Sequence, residues 1–297
     1  MKLGGKMEYI FILNRFSLKE KLEDVKKRLE KVSKKKKLKY KIEINNEEVS
    51  TEDIVEKYKK KRVCIVAVGG DGTINRVLNK VVGTKNVLGF IPYGTGNDFY
   101  KSCQELLKEG IQTIDLVKIN EKYCINVACF GIDAEIGNND DIIHSKWIPA
   151  KQRYNMSLIH HFLKFQPREV RVKVNKIQWN SPMTTIVLCN GRYYGGGYKV
   201  GFTSQLNNGK IDVYLINQMP KIKMATLING MKKGLHEKSI YTTKVQAKEL
   251  TIESDSIIES NIDGEKYASK IFKVKVIPKG ITINYDQSLI DAFYGKK

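Results

Sequence analysis

Between residues 9 and 119 the chain alternates short apolar runs with amphipathic stretches. The run at 9–13 predicts a first strand. Leu18, Leu22, Val25, Leu29 and Val32 follow at steps of four and three, which predicts a helix with one buried face, opened by Ser17 and Glu20 as a capping box. Apolar runs at 63–68, 87–91 and 113–119 predict further strands, with helices between them near 51–60, 74–82 and 98–108. This order suits a mostly parallel sheet covered by helices on both faces. In such sheets ligands bind beyond the carboxyl ends of the strands.

From about Cys124 the texture changes. Strand patterns at 123–128, 169–174, 183–189, 210–216, 249–253 and 272–277 are broken by helix patterns only near 155–165 and 221–233. Strands clustered in this way predict a second, mainly antiparallel domain. The expected division is 1–123 and 124–280, and a chain of 297 residues is long enough for two domains.

Two strand ends carry candidate chemistry. The strand at 63–68 runs into Gly69-Gly70-Asp71-Gly72-Thr73 and then directly into a helix. Glycines there let successive N–H groups turn toward one point ahead of a helix N-terminus, which suits an anion. The spacing is neither that of a P-loop nor that of the dinucleotide fingerprint. Taken alone the segment reads equally well as a tight turn with Thr73 as the helix cap. The next strand repeats the device in Gly94-Thr95-Gly96-Asn97-Asp98, where Asn97 and Asp98 are suited to cap the following helix. Two such loops at successive strand ends can wrap one polyphosphate, and the pair is far more specific than either loop.

Composition narrows the partners. Hydrophobic residues at 41% and charged residues at 28% are those of a folded protein rather than a disordered one. A net charge of +20 favours anionic partners. Much of it lies in Lys34-Lys35-Lys36-Lys37 and Lys59-Lys60-Lys61-Arg62 at the ends of helix patterns, where cations complement the helix dipole. Cys64, Cys103, Cys124, Cys129 and Cys189 form no Cys-x-x-Cys pair, and His144, His160, His161 and His236 have no zinc-type spacing to them, so reduced cysteines and no His/Cys metal site are expected. No apolar run is long enough for a membrane span or a secretory signal, and a cytoplasmic protein is expected. Nucleic-acid binding would rest on charge alone.

The two glycine loops, with Phe99 after the second, and Tyr193-Tyr194-Gly195-Gly196-Gly197 and Ile262-Asp263-Gly264-Glu265 downstream, resemble the diacylglycerol kinase catalytic family, which includes bacterial soluble diacylglycerol kinases and is related to sphingosine kinases. The resemblance runs from about Tyr9 to Asp286. It implies an α/β N-terminal domain of the phosphofructokinase/NAD-kinase type and a β-sandwich-like C-terminal domain that helps to bind lipid, with residues 281–297 returning to the first. The implied reaction is transfer of the γ-phosphate of ATP, with Mg²⁺, to a lipid hydroxyl. Diacylglycerol is the first expectation, and a sphingoid base or a glycerophospholipid the alternative. A transient peripheral visit to the inner face of the membrane is implied, while a homodimer is left open.

By the same resemblance, Asn14 and the backbone from Gly70 through Asp71, Gly72, Thr73 and Ile74 to Asn75 hold the nucleotide, with Thr95 contacting it from the second loop. Asp71 is the candidate for the catalytic Mg²⁺, against a plain capping role; Asp98 is divided between a cap and a polar network. Glu265 matches the family's proton acceptor, although Asn-Ile-Asp-Gly-Glu also reads as a β-turn. Lys19 would join Asp133 in a charged network between the domains. A secondary Mg²⁺ site would use Gln205, Asn208 and Lys210, but asparagine stands where the family's carboxylate is usual, which predicts weak binding or none. Arg15, Leu18 and Arg76 also depart from the family pattern; with Asn208 they motivate the rival reading, a non-catalytic nucleotide-binding regulator. The helix pattern at 221–235, with apolar residues among lysines, could rest on a membrane surface, but it is expected rather to pack on its own domain.

Overall fold

The computed structural model describes residues 7–132, 134, 165–231 and 233–296. They fall into two compact units, Met1–Asp115 with Pro278–Lys297, and Leu116–Ile277. Asp133 and most of the helix pattern at 155–165 lie outside the described residues.

In the first unit β1 (Glu8–Asn14), β2 (Lys39–Asn45), β3 (Cys64–Gly69) and β4 (Val87–Pro92) pair in parallel in the order β2-β1-β3-β4. Every residue of β3 and β4 is buried, as expected of central strands covered on both faces. β2 is absent from the predicted strands because it is an edge. Lys39 and Lys41 face water, while Tyr40, Ile42 and Ile44 pack on the core, so its apolar signal is diluted by lysine.

The connections carry α2 (Leu22–Lys35), α3 (Thr51–Tyr58), α4 (Asp71–Val81) and α5 (Asp98–Leu106), preceded by a single turn, α1 (Arg15–Leu18). The expected capping box of Ser17 and Glu20 does not form. Asn14 caps α1 instead, its Oδ1 accepting the Phe16 N–H at 3.0 Å, and the Ser17 hydroxyl donates to the Asn14 carbonyl at 3.1 Å. Lys19 then takes a φ of 47°, and a short 3-10 turn, Lys19–Lys21, precedes α2. Val25, Leu29 and Val32 of α2 are buried against β1 and β3 residues, with Leu289 and Phe293 from the end of the chain.

β5 (Gly110–Ile119) leads into the second unit, which continues through β6 (Lys122–Cys124), β7 (Val127–Gly131), β8 (Arg168–Val174), β9 (Ile177–Cys189), the short pair β10 (Tyr193–Tyr194) and β11 (Tyr198–Lys199), and β12 (Ile211–Asn217). After α6 (Lys221–Met231) come β13 (Thr242–Ala247), β14 (Glu249–Ile262) and β15 (Glu265–Tyr285). Pairing here is antiparallel throughout, in the order β13-β12-β9-β7-β14-β15, with β8 joining β9 and β14. The single strand predicted at 123–128 is two, broken at Ile125-Asn126. The end of β15 belongs to the first unit, where Ile283 lies opposite Leu88 of β4, and α7 (Gln287–Tyr294) packs beside α2.

Candidate active site

β1, β3 and β4 end side by side at one edge of the first unit, and the N-terminal ends of α1, α4 and α5 start there. The two glycine loops touch at that edge. A Cβ on Gly94 would stand 2.5 Å from the Gly70 Cα, and one on Gly69 would stand 2.5 Å from the Thr73 hydroxyl oxygen. Neither position has room for a side chain. The glycines therefore let two strand-to-helix turns approach backbone to backbone.

The second loop is held by Asn97, which sits at φ 53°. Its side-chain amide accepts from the Gly94 N–H and donates to the Gly94 carbonyl, both at 2.9 Å. An asparagine spent in this way does not cap its own helix, and α5 is capped from the other loop. The Asp71 carboxylate accepts the N–H of Asp98 at 3.0 Å and that of Phe99 at 2.9 Å. Asp71 thus caps α5 rather than α4, and Thr73, buried within the first turn of α4, is not a cap.

Burial pushes the Asp71 carboxyl above the usual carboxylate range; the two N–H bonds oppose that shift, and the negative charge of Asp98 adds to it. Asp98 is itself buried and bonds to the Lys101 ammonium at 3.0 Å. Both carboxylates come within 3.5 Å of the place a Gly96 Cβ would occupy. A desolvated carboxylate that accepts one N–H per oxygen keeps lone pairs for a hard cation, so the residues fit Mg²⁺ arriving with phosphate oxygens. Among the described residues no group of three His, Cys, Asp or Glu side chains stands ready to hold a metal on protein ligands alone.

The other nucleotide candidates lie around the same edge in different states. Asn14 is buried and engaged as a cap, beside Asn45, whose Oδ1 accepts the Arg15 N–H at 2.8 Å. Ile74 is buried in the core and offers only its backbone, and the Asn75 side-chain oxygen accepts from Asn79 at 2.9 Å. Thr95 and Arg76 are exposed, as is Lys19, whose expected partner Asp133 lies outside the described residues.

In the second unit Asp263 and Gly264 have φ of 49° and 93°, the paired positive values of a type I′ hairpin turn joining β14 to β15, and Glu265 follows it half-buried. The turn is anchored by Asp263. Its buried carboxylate accepts the N–H of Ile125 at 2.6 Å and those of Asn126 and Val127 at 3.0 Å, with the Cys124 thiol at 3.3 Å. Those bonds fill the break between β6 and β7. Asn126 in turn donates to the Tyr193 carbonyl at 2.9 Å, tying in the hairpin of Gly195, Gly196 and Gly197, all at positive φ. Sequence reasoning assigned Glu265, gave Asp263 no role and read Asn97 as a cap of α5, a role that Asp71 takes instead; the available signal for Asp263 was a residue other than glycine at a position calling for positive φ.

Gln205 and Asn208 lie in the exposed loop before β12, and the Asn208 oxygen accepts the Lys210 N–H at 3.0 Å as an ordinary Asx turn. The buried carboxylate nearby, Asp212, is occupied by Thr203, Ser204 and Gln246.

Residues 8–125 match the diacylglycerol kinase catalytic domain, and 126–285 match the YegS C-terminal NAD kinase beta sandwich-like domain. The chain belongs to the diacylglycerol kinase family of lipid kinases. Its relatives include the "Probable lipid kinase YegS-like" of Yersinia enterocolitica, 28% identical over 73% of this chain and 77% of that protein, and that of Shewanella frigidimarina, 25% identical over 73% and 74%. A solved diacylglycerol kinase structure from Bacillus anthracis str. Sterne superposes with a TM-score of 0.67 at 15% identity, covering 96% of this chain and 98% of that one. A second structure from that organism reaches a TM-score of 0.74 at 18% identity, covering 95% and 98%. At these identities the structures speak to the fold, an α/β domain with a β-sandwich-like partner, while the family models carry the activity, that of a lipid kinase.

Proposed function

We propose that this lipid kinase uses ATP as phosphate donor and converts diacylglycerol to phosphatidic acid at the inner face of the membrane. The reading is carried by the double glycine loop: two backbone mouths in contact, at adjacent strand ends, with one desolvated carboxylate bonded across them. N–H groups from Gly70 to Thr73 and that of Thr95 bind and orient the phosphate chain, and the positive ends of α4 and α5 favour its charge. Asp71, with Asp98 beside it, would hold Mg²⁺, which when bound neutralises charge on the transferring phosphoryl group. Since phosphoryl transfer asks mainly for positioning, the one proton step belongs to Glu265, which takes the proton of the attacking lipid hydroxyl. The Asp263 anchor keeps that carboxylate on a rigid turn.

The test is transfer of labelled γ-phosphate from ATP with Mg²⁺ to a panel of lipids in mixed micelles. The panel contains diacylglycerol, a sphingoid base and a glycerophospholipid. Label on diacylglycerol, lost in Asp71→Ala and in Glu265→Ala, is the expected result. Label on another lipid reassigns the acceptor; binding of ATP without transfer to any lipid overturns the reading.

A further inference from the structure

The segment after β12 runs through α6 and a 3-10 turn, Leu235–Lys238, into β13. Its inner side is ordinary core, with Met224, Leu227 and Met231 packed among Val200, Tyr214 and Ile216. Its outer side differs. Ile222 is 82% exposed, Ile240 90% and Leu235 51%. Phe202, 45% exposed, belongs with them, since a Cβ on Gly234 would stand 2.8 Å from its ring, and Leu235 rests against Gly230 of the helix. Single exposed apolar residues are commonplace on any protein, but three large ones between residues 222 and 240, with a fourth from the loop before β12, are not.

Among the described residues of this segment the outward charge has one sign. Lys221, Lys223, Lys233 and Lys238 are exposed on this segment, and the Lys199 ammonium lies 5.1 Å above the Phe202 ring. The one acid between residues 219 and 241, Glu237, is turned inward, accepting from the Tyr214 hydroxyl at 2.5 Å and from Lys244 at 2.8 Å. Aliphatic tips among lysines, with no outward carboxylate, complement a surface that is apolar beneath and anionic on top. A second copy of the same face is a poor match, because a two-fold contact would set lysines against lysines.

We infer that the face formed by α6, the turn after it and Phe202 docks on an anionic lipid bilayer. Ile222, Leu235, Ile240 and Phe202 enter the acyl boundary and the lysines lie among headgroup phosphates. This deepens the lipid-kinase reading and rests on it, since a diacyl substrate has to be met at a membrane.

The experiment is co-sedimentation of the full chain with phosphatidylcholine vesicles, with and without phosphatidylglycerol. Ile222→Glu/Ile240→Glu and Lys223→Gln/Lys238→Gln are run beside wild type, with phosphate transfer to a dissolved short-chain diacylglycerol measured in parallel. Wild type is expected on the anionic vesicles alone, with binding weakened about fivefold for each lysine neutralised and at least about tenfold in the double glutamate variant. Short-chain transfer should be unchanged in both variants. Vesicle binding by the glutamate variant equal to wild type, or wild-type binding indifferent to phosphatidylglycerol, overturns the inference. So does sedimentation velocity in which the glutamate variant turns a dimer into a monomer, which would make the face a contact between copies. Absence of short-chain transfer by wild type would instead strike the diacylglycerol assignment and leave the vesicle result to be judged by itself.

Discussion

Asp263→Asn is the most informative single change, because it keeps the shape of the side chain and removes only its charge and one acceptor. Oδ2 accepts the Ile125 N–H at 2.6 Å, while Oδ1 serves Asn126, Val127 and the Cys124 thiol. An asparagine has one oxygen, so in either orientation its NH₂ group faces a backbone N–H, leaving at least one buried donor unpaired. A charge-assisted bond lost at a buried site, with the donor stranded, costs about 3 kcal/mol. For a unit of this size that is a fall of about 6–12 °C in the melting temperature. Because the same carboxylate anchors the turn before Glu265, kcat should fall as well, with ATP affinity unchanged. Thermal unfolding followed by circular dichroism, beside nucleotide titration and the transfer assay, reads all three. A variant melting within about 2 °C of wild type would refute the reasoning, since it would mean that the three N–H groups do not depend on the charged carboxylate.

Gly94→Ala should drive the two loops apart, since its Cβ meets backbone at 2.5 Å, and ATP affinity measured by calorimetry should fall at least about tenfold. Glu265→Ala should abolish transfer while equilibrium dialysis shows ATP still bound. Asp71→Asn should also abolish transfer, and it carries a pH signature. Burial raises the folded-state pKa of Asp71 above its unfolded value, so its stabilising contribution is fully present below the unfolded pKa and is lost as pH rises through the folded one. The urea midpoint of wild type relative to Asp71→Asn should therefore decline as pH rises from about 4 toward neutrality; a relative midpoint that climbs over that range would contradict the assignment. Mg²⁺ with ATP should then raise the melting temperature of wild type more than that of the variant.

Much of this molecule was legible in local pattern. Apolar runs located β1, β3 and β4 because central parallel strands are buried on both faces, and glycines marked the two loops because the contact of Gly94 with the Gly70 backbone excludes a Cβ there. The lysine-diluted edge strand β2 and the break between β6 and β7 had no such signal. Ser17 and Glu20 matched the capping box by spacing, yet Asn14 took the cap, since the chain turns out of β1 three residues earlier. The decisive bonds within each unit are long-range. Asp71 caps a helix 27 residues onward, and Asp263 reaches back 136 to 138 residues to hold the start of β7. Residue type and spacing specify what a short segment can do alone, and so the sequence by itself determined the strands, the loops and the chemistry they suit. Which distant N–H each buried carboxylate must satisfy follows from how the strands are ordered in the sheet, and only the tertiary structure decided it.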